Sequence, residues 1–398
     1  MQTKQTTGLF ILLLLGMLTA FGPLITDMYL PTLPEMVGTF STTPSLVQLG
    51  LTASMVGLAV GQLFFGPMSD SLGRRRPLLA GMALFLVATL GCLFSQSILA
   101  FVGWRLLQGV AGASGIVIAR SVATDYFTGR ELARTMGLIG AINGVAPIAA
   151  PVAGGVLAGV VGWKGIFWCL FGLGVVLTAA CCHFRESLPR VRRQPMKLRV
   201  VAHGFATVLH HRRYLLNVLQ FSFCHVVLFA NIASAPFIMQ QHFGFSPLGF
   251  SVCFGVNASA IVLSSALTMR FRHLEVTAWR GSQAMLVVAV LLLAALSLSC
   301  PFWVYEVLLL ALLLTLGFTF TAANTLAMAA ERANAGTASA VMGALGFLMG
   351  GLVPPLVGLG NILVTTGLLF VAGALGVCVC ATCSLRYLLN RRVAVCRA

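Results

Sequence analysis

Acidic side chains are scarce in this sequence: three aspartates and six glutamates in 398 residues, and charged residues of both signs make up only 9%. A soluble domain carries roughly 25% charged residues, because its surface must be wetted. The exterior of this protein therefore cannot be mostly water. No polar stretch is long enough for a soluble domain, and there is no output domain of the kind a receptor needs. A phosphate-binding glycine loop is missing, as is any membrane-embedded His/Asp cluster of the acyl-transfer or metal type, which argues against a membrane enzyme. The eleven cysteines show no paired spacing that would place disulfides on an external face. Cys378, Cys380 and Cys383 are offset by two and five residues, which scatters them over more than one face of a helix. They read as packing residues, and no metal is expected.

Apolar residues make up 59% of the chain, in recurring runs such as 8–20, 167–182 and 286–299. At about 20 residues per membrane crossing, the length accommodates twelve helices joined by short loops. The predicted fold is an all-α membrane protein with spans at 8–30, 45–67, 77–95, 98–122, 135–158, 165–184, 214–238, 247–269, 281–300, 303–326, 335–359 and 361–385. The first run continues past Gly22-Pro23 to Tyr29 without a small-x-small cleavage site, so it reads as a retained helix rather than a signal peptide.

A net charge of +16 would fit a nucleic-acid partner if read alone, but its placement excludes one. Counted against these spans, 22 of the 25 basic residues fall on one side. The other side holds Lys164 alone, while Arg105 and Arg120 lie inside the fourth span. Short loops rich in Lys and Arg stay in the cytoplasm. Both termini are therefore expected there, in a bacterial inner membrane, with lipid as the surrounding partner.

The longest polar stretch, 185–213, falls near the middle of the chain. It carries Pro189 and Pro195, then a basic amphipathic piece, Met196–His211, of the kind that lies on an anionic leaflet. It divides the chain into a six-helix bundle at 1–184, a cytoplasmic linker at 185–213, and a second six-helix bundle with a short tail at 214–398. Met136-Gly137 and Met342-Gly343, with similar flanks, lie 206 residues apart, as expected of two pseudo-symmetric halves. Transporters built from parallel repeats bind substrate near the bilayer midplane, between halves that alternate in access.

Several local patterns add chemistry. The loop after the second span runs from Gly66 to Pro77 and places Asp70, Gly73, Arg74 and Arg75 at fixed spacing. A topology loop needs only the arginines, so the glycines and the aspartate ask for more. Asp70 is suited to accept hydrogen bonds at a helix N-terminus, and Gly73 to a turn conformation other residues avoid. Asp125, at the inner end of the fourth span, pairs with Arg74 as a latch or is a solvated helix end. Arg105 lies about eight residues into the fourth span, where a cation costs from about 2.5 kcal/mol upward. It must face a partner, a structural ion pair included, or a wet cavity. In the fifth span Pro147 and Pro151 bend the helix, with Ala150 between them, and Gly154 and Gly155 permit tight packing.

These motifs carry a family resemblance. The Gly66–Pro77 loop resembles the signature loop of the major facilitator superfamily. Pro147–Gly155 resembles the antiporter motif of its drug:proton exporters, with Ala150 where a glycine is usual. Thr26–Pro34 at the end of the first span, taken with the loop, resembles the bicyclomycin/chloramphenicol-resistance branch. The resemblance covers the first half in sequence and the second mainly in topology. It implies the twelve-helix fold of that superfamily and export of small, largely apolar antibiotics against protons. Asp27 and Arg105 are then the proton-coupling residues and the proton the only coupling ion, with no other cofactor and a monomeric state. Asp27 also reads as a surface acid just outside the bilayer.

Substrate contacts are expected among Tyr29, Met55, Phe229, Asn231, Phe320 and Asn324. Glu306 reads as a rim residue near the outer surface more readily than as a second proton site, and His225 as a packing residue. The rival reading on the same fold is an exporter of a small metabolite such as a sugar or amino acid. A zwitterion site needs paired charges, and acids inside the spans are few.

Overall fold

The computed structural model describes residues 2–193, 207–268, 270–271, 273–331 and 335–397, and among them helix is the only regular structure. Most of the amphipathic piece expected at Met196–His211 lies outside them. The helices are α1 (Gln2–Asp27), α2 (Leu33–Thr39), α3 (Pro44–Leu72), α4 (Arg75–Leu93), α5 (Ile98–Tyr126), α6 (Gly129–His183), α7 (Arg212–Phe237), α8 (Pro247–Thr268), α9 (Leu274–Ser297), α10 (Phe302–Ala330), α11 (Ala335–Gly351), α12 (Val353–Val357) and α13 (Ile362–Arg397).

Eleven helical runs among the described residues are long and apolar enough to cross a membrane. One of them, Val145–His183, has 39 residues. At 1.5 Å per residue a straight helix of that length would run to about 58 Å, nearly twice the hydrocarbon thickness. It is not straight: Gly162 sits at φ 62°, ψ −171°, a left-handed conformation only glycine takes without strain. That break separates two crossings, giving the twelve spans expected.

The first span differs from the predicted 8–30. After Asp27 the chain makes a 3-10 turn at Leu30–Thr32, with Pro31 inside it, and continues as α2. The apolar run therefore extends over Phe10–Thr39. Proline at the start of a helix loses no needed hydrogen bond, so the Pro31/Pro34 pair redirects the helix without ending the crossing. Sharp entries elsewhere have ordinary caps. The Thr43 hydroxyl accepts from Leu46 N at 3.4 Å, with Pro44 in the first helical position, and Ser97 accepts from Ala100 N at 3.3 Å.

Packing divides the chain into two units, Met1–Met196 with Phe245–Val252, and Lys197–Gly244 with Cys253–Ala398. In the first, α3 lies along α5 in backbone contact. A Cβ on Gly57 would meet the Leu106 carbonyl and lie 3.1 Å from Gly109 Cα, and one on Gly109 would meet the Ser54 carbonyl. In the second, α10 approaches α8 in the same manner: a Cβ on Gly317 would lie 2.7 Å from the Ile261 carbonyl oxygen. Gly317 follows Gly109 by 208 residues and Ile261 follows Ser54 by 207. Lipid gives apolar side chains no reason to associate, so small residues that let backbones touch supply the cohesion.

Candidate functional site

Among the described residues Arg105 is the largest fully buried side chain. It reaches the core of the first unit because small residues open the way. Gly50 of α3 faces its stem, and a Cβ on Gly112 would lie 2.6 Å from Ile25 Cδ1, so α5 runs close beside α1. The guanidinium donates through Nη2 to the Ile25 carbonyl and to Ser54 Oγ, each at 3.0 Å, and through Nη1 to Gln108 Oε1. Gln108 Nε2 in turn donates to Thr89 Oγ1 at 2.8 Å, and Thr89 to the Phe85 carbonyl at 2.7 Å. Four helices thus hold one cation. Its Cζ lies over the Tyr29 ring, 4.4 Å from the centroid, and 5.7 Å from that of Phe167, where a desolvated cation–π contact is worth about 2 kcal/mol. Among the described residues no carboxylate lies within 4.0 Å of it, so the structural ion pair weighed from sequence is not formed.

Asp27 closes α1, two residues beyond the carbonyl that Arg105 holds. It is 6% exposed and lies within the Arg105 field. The surface-acid reading therefore gives way: the redirected first span carries the chain on to Thr39 and leaves Asp27 inside the bundle. Immediately after it, Met28 is in backbone contact with α6, since a Cβ on Gly154 would collide with the Met28 carbonyl. Ala150 is fully buried and Pro151 is buried on the same helix, with Pro147 half-buried. Gly154 and Asp27 thus share one junction, a proximity that sequence spacing did not reveal.

A second constellation lies at the α3–α4 connection. Arg74 Nε donates to Asp125 Oδ2 at 3.0 Å, and its Nη1 donates to Ser69 Oγ at 2.8 Å and to the Asp70 carboxylate. Burial opposes the Arg74 charge, but hydrogen bonds to Asp125 and Asp70 outweigh that and raise its pKa. Asp70 does not cap α4 as expected; it lies in the last turns of α3. The N-terminus of α4 is held by Glu186, which accepts from Arg74 N at 2.8 Å and Arg75 N at 3.2 Å. Gly73, at φ +91°, turns the backbone beside that carboxylate. Arg75 Nη2 donates to the Cys182 carbonyl at 2.8 Å, and Ser187 Oγ to Asp125 at 2.8 Å. Glu186 was not singled out from sequence, although it is the only acid in the stretch 185–213.

In the second unit Phe229 and Phe320 come together around His225, at ring distances of 6.0 and 5.1 Å, with Phe221 at 4.6 Å and Phe347 at 6.1 Å. The imidazole contacts the Phe221 carbonyl through Nδ1 at 3.0 Å. Asn231 and Asn324 share no ring or hydrogen-bond contact with this cluster among the described residues. Tyr29 and Met55 are fully buried in the first unit, Tyr29 as the floor under Arg105. Glu306, expected at a rim, is 8% exposed. No grouping of His, Cys, Asp and Glu suited to a metal occurs among the described residues.

Comparison with known proteins gives the family and the fold. The Major Facilitator Superfamily matches residues 10–354. An uncharacterized MFS-type transporter of Bacillus subtilis, YdgK, is 38% identical over 353 residues, covering 87% of this chain and 88% of that protein. A bicyclomycin resistance protein homolog of Haemophilus influenzae is 29% identical over 410 residues, covering 98% of each. The fold is similar to that of a bacterial homolog of the human lysosomal transporter Spinster, with a TM-score of 0.73 at 18% identity over 94% of each chain.

Proposed function

The chain belongs to the major facilitator superfamily, and from that premise we propose that it exports small, largely apolar antibiotics of the chloramphenicol or bicyclomycin type in exchange for protons. It is a multi-pass membrane transporter and not an enzyme. The full-length similarity to a bicyclomycin resistance protein homolog supports the drug class. The proposal includes a bacterial inner membrane, both termini in the cytoplasm, a monomer, and the proton as the coupling ion, with the drug and lipid as its partners.

The observation that carries the reading is the pair of buried groups Arg105 and Asp27, a permanent cation that holds the Ile25 carbonyl and, two residues further along α1, a carboxyl inside the bundle. With Asp27 ionised, its charge lies within the field of Arg105. With Asp27 protonated, the Arg105 charge remains supported by the Ile25 carbonyl, Ser54, Gln108 and the Tyr29 ring. Both protonation states are therefore tolerated, as a proton carrier requires. In the proposed cycle an external proton neutralises Asp27, access alternates to the cytoplasm, and drug entry favours release of that proton inside.

The energetics suffice. A potential of 100 mV contributes about 2.3 kcal/mol per proton and one pH unit about 1.4. Together these support a neutral-drug gradient of a few hundred-fold.

Everted membrane vesicles test it. After lumen acidification, adding chloramphenicol should alkalinise the lumen of wild-type vesicles, and the response should vanish in Asp27→Asn and in Arg105→Ala. A response that survives Asp27→Asn moves the proton site elsewhere. No response across a broad drug panel, with folded protein in the membrane, favours a metabolite exporter.

A further inference from the structure

The second unit holds a cavity that this cycle does not use. It encloses about 360 Å³ and lies where α7 ends and α13 begins, one full span from Arg212. The apolar run that ends there, Arg212–His242, has 31 residues. At 1.5 Å per residue it reaches about 46 Å, beyond the roughly 30 Å of hydrocarbon and into the headgroup layer. The run closes on a single π turn, Ile238–His242, in which Phe243 N donates back to the Ile238 carbonyl at 3.1 Å. Such widened turns are frequent at functional sites.

The walls define what fills it. One side is apolar: Phe237 and Ile238 are each 1% exposed, with Leu363 half-buried across from them. The rim is polar and rich in donors. Asn361 Oδ1 accepts from Leu363 N at 2.9 Å and from Val364 N at 3.4 Å, so the backbone uses the acceptor half of that amide and its NH2 remains. The Gln241 side chain makes no hydrogen bond among the described residues. The His242 ring meets only Phe243, 4.7 Å away, and an imidazole keeps an N–H in either tautomer. Gly360, at φ +83°, completes the rim, and a Cβ there would meet nothing within 4 Å, so the mouth is open. No carboxylate lines the cavity. Leu356 and Leu359, just before the rim, are 44% and 56% exposed.

Three donors and no acid select a ligand with anionic oxygens, since a cation would find no counter-charge here. Hydrogen bonds from such donors to an ionised oxygen are roughly twice as strong as those between neutral groups. A small soluble anion would leave the apolar wall unused. A ligand with a phosphate at one end and hydrocarbon at the other uses both, and the headgroup layer supplies it. We propose that this cavity binds the head group of one phospholipid. Gln241, His242 and Asn361 hold its phosphodiester, the glycerol lies against Phe237 and Ile238, and the acyl chains leave over Leu356 and Leu359. The bound lipid bridges the π turn of α7 and the α12–α13 connection. The site is separate from Asp27 and Arg105 and does not depend on the transport reading.

The test is native mass spectrometry of the purified full-length protein after incubation with phosphatidylglycerol, phosphatidylethanolamine or diacylglycerol. One phospholipid of either kind should stay bound. Diacylglycerol lacks the phosphate and should be retained at least roughly tenfold less. Asn361→Asp keeps the helix cap, because aspartate caps as well as asparagine, but it sets a negative charge in the rim. This variant, and the double change Gln241→Leu with His242→Leu, should each lower phospholipid retention by at least roughly tenfold. Retention of diacylglycerol equal to that of phospholipid overturns the site, as does phospholipid retention unchanged in the double variant. Full displacement of the lipid by glycerol phosphate at equal concentration also overturns it, in favour of a soluble phosphate ligand. Gln241 and His242 are exposed, so the double variant decides the matter even where Asn361→Asp does not fold.

Discussion

The Arg105 guanidinium stacks over the Tyr29 ring at 4.4 Å, two residues beyond Asp27, so a permanent charge in the bundle is held by a π face rather than by a carboxylate. The Tyr29 hydroxyl lies beside the guanidinium without a completed hydrogen bond. The ring and not the hydroxyl is therefore the useful part. Tyr29→Phe should keep drug-driven proton movement within about twofold of wild type. Tyr29→Ala removes a contact worth about 2 kcal/mol and should lower it by at least roughly tenfold. Initial alkalinisation rates in vesicles, normalised to protein content, check both. A Tyr29→Phe variant as impaired as Tyr29→Ala would show that the hydroxyl carries the effect.

Gly154 sets how closely α6 approaches the break after Asp27. A Cβ there collides with the Met28 carbonyl, a backbone atom that cannot rotate away. Gly154→Ala should cost about 1–3 kcal/mol by overpacking and displace the Asp27 junction, lowering both the melting temperature in detergent and transport. Ala150→Gly, one turn earlier, only deletes a buried methyl from a helix. It should cost about 1 kcal/mol and leave transport measurable. Equal effects of the two changes would remove the special role of the Gly154 contact.

Composition made the fold legible: the low charge, the one-sided arginines and the spacing of apolar runs all follow from the bilayer acting as solvent. The motif loop was legible because glycine and aspartate spacing exceeded what topology needs. The depth of Asp27 was not, because Pro31 and Pro34 read as a helix end, whereas Pro31 sits in a 3-10 turn and Pro34 starts a continuing helix. The capping role of Glu186 escaped because it depends on a contact across 112 residues, which no local pattern encodes. Glu306 read as a rim acid for a similar reason. Its place near the start of α10 implied exposure, while α8 brings Asn257 alongside it.

The Arg74 side chain joins Asp70, Ser69 and Asp125, while its backbone and that of Arg75 rest on Glu186. Groups sharing one network do not contribute independently. Arg74→Ala and Asp125→Ala should each destabilise the purified protein, and the double variant should be less destabilised than the sum by about 0.5–3 kcal/mol. Glu186→Gln keeps an acceptor for one amide and should cost less than Glu186→Ala, which leaves both backbone donors of α4 unpaired. A double-mutant cycle on chemical denaturation curves measures the coupling. Strict additivity would show that Arg74 and Asp125 only happen to be near one another.

His225 is the titratable group most easily mistaken for a proton carrier in the second unit, since it is buried inside a span. Its surroundings argue for packing. Four phenylalanine rings surround it, and the Phe221 carbonyl is its one polar contact among those described. No carboxylate in the cluster could take a proton from it. Gly346 and Gly350 of α11 press against its ring and against Phe229, leaving no room for a larger neighbour at those positions. His225→Phe replaces one flat ring by another and forfeits a single hydrogen bond, worth about 0.5–1.5 kcal/mol. It should therefore preserve folding and the pH dependence of drug-driven proton movement. His225→Ala empties the centre of the cluster and should cost about 2–5 kcal/mol, as for other large-to-small core changes. Thermal unfolding and vesicle assays across pH separate the two. A His225→Phe protein that folds normally but loses proton coupling would assign the imidazole a transport role that its neighbours do not support.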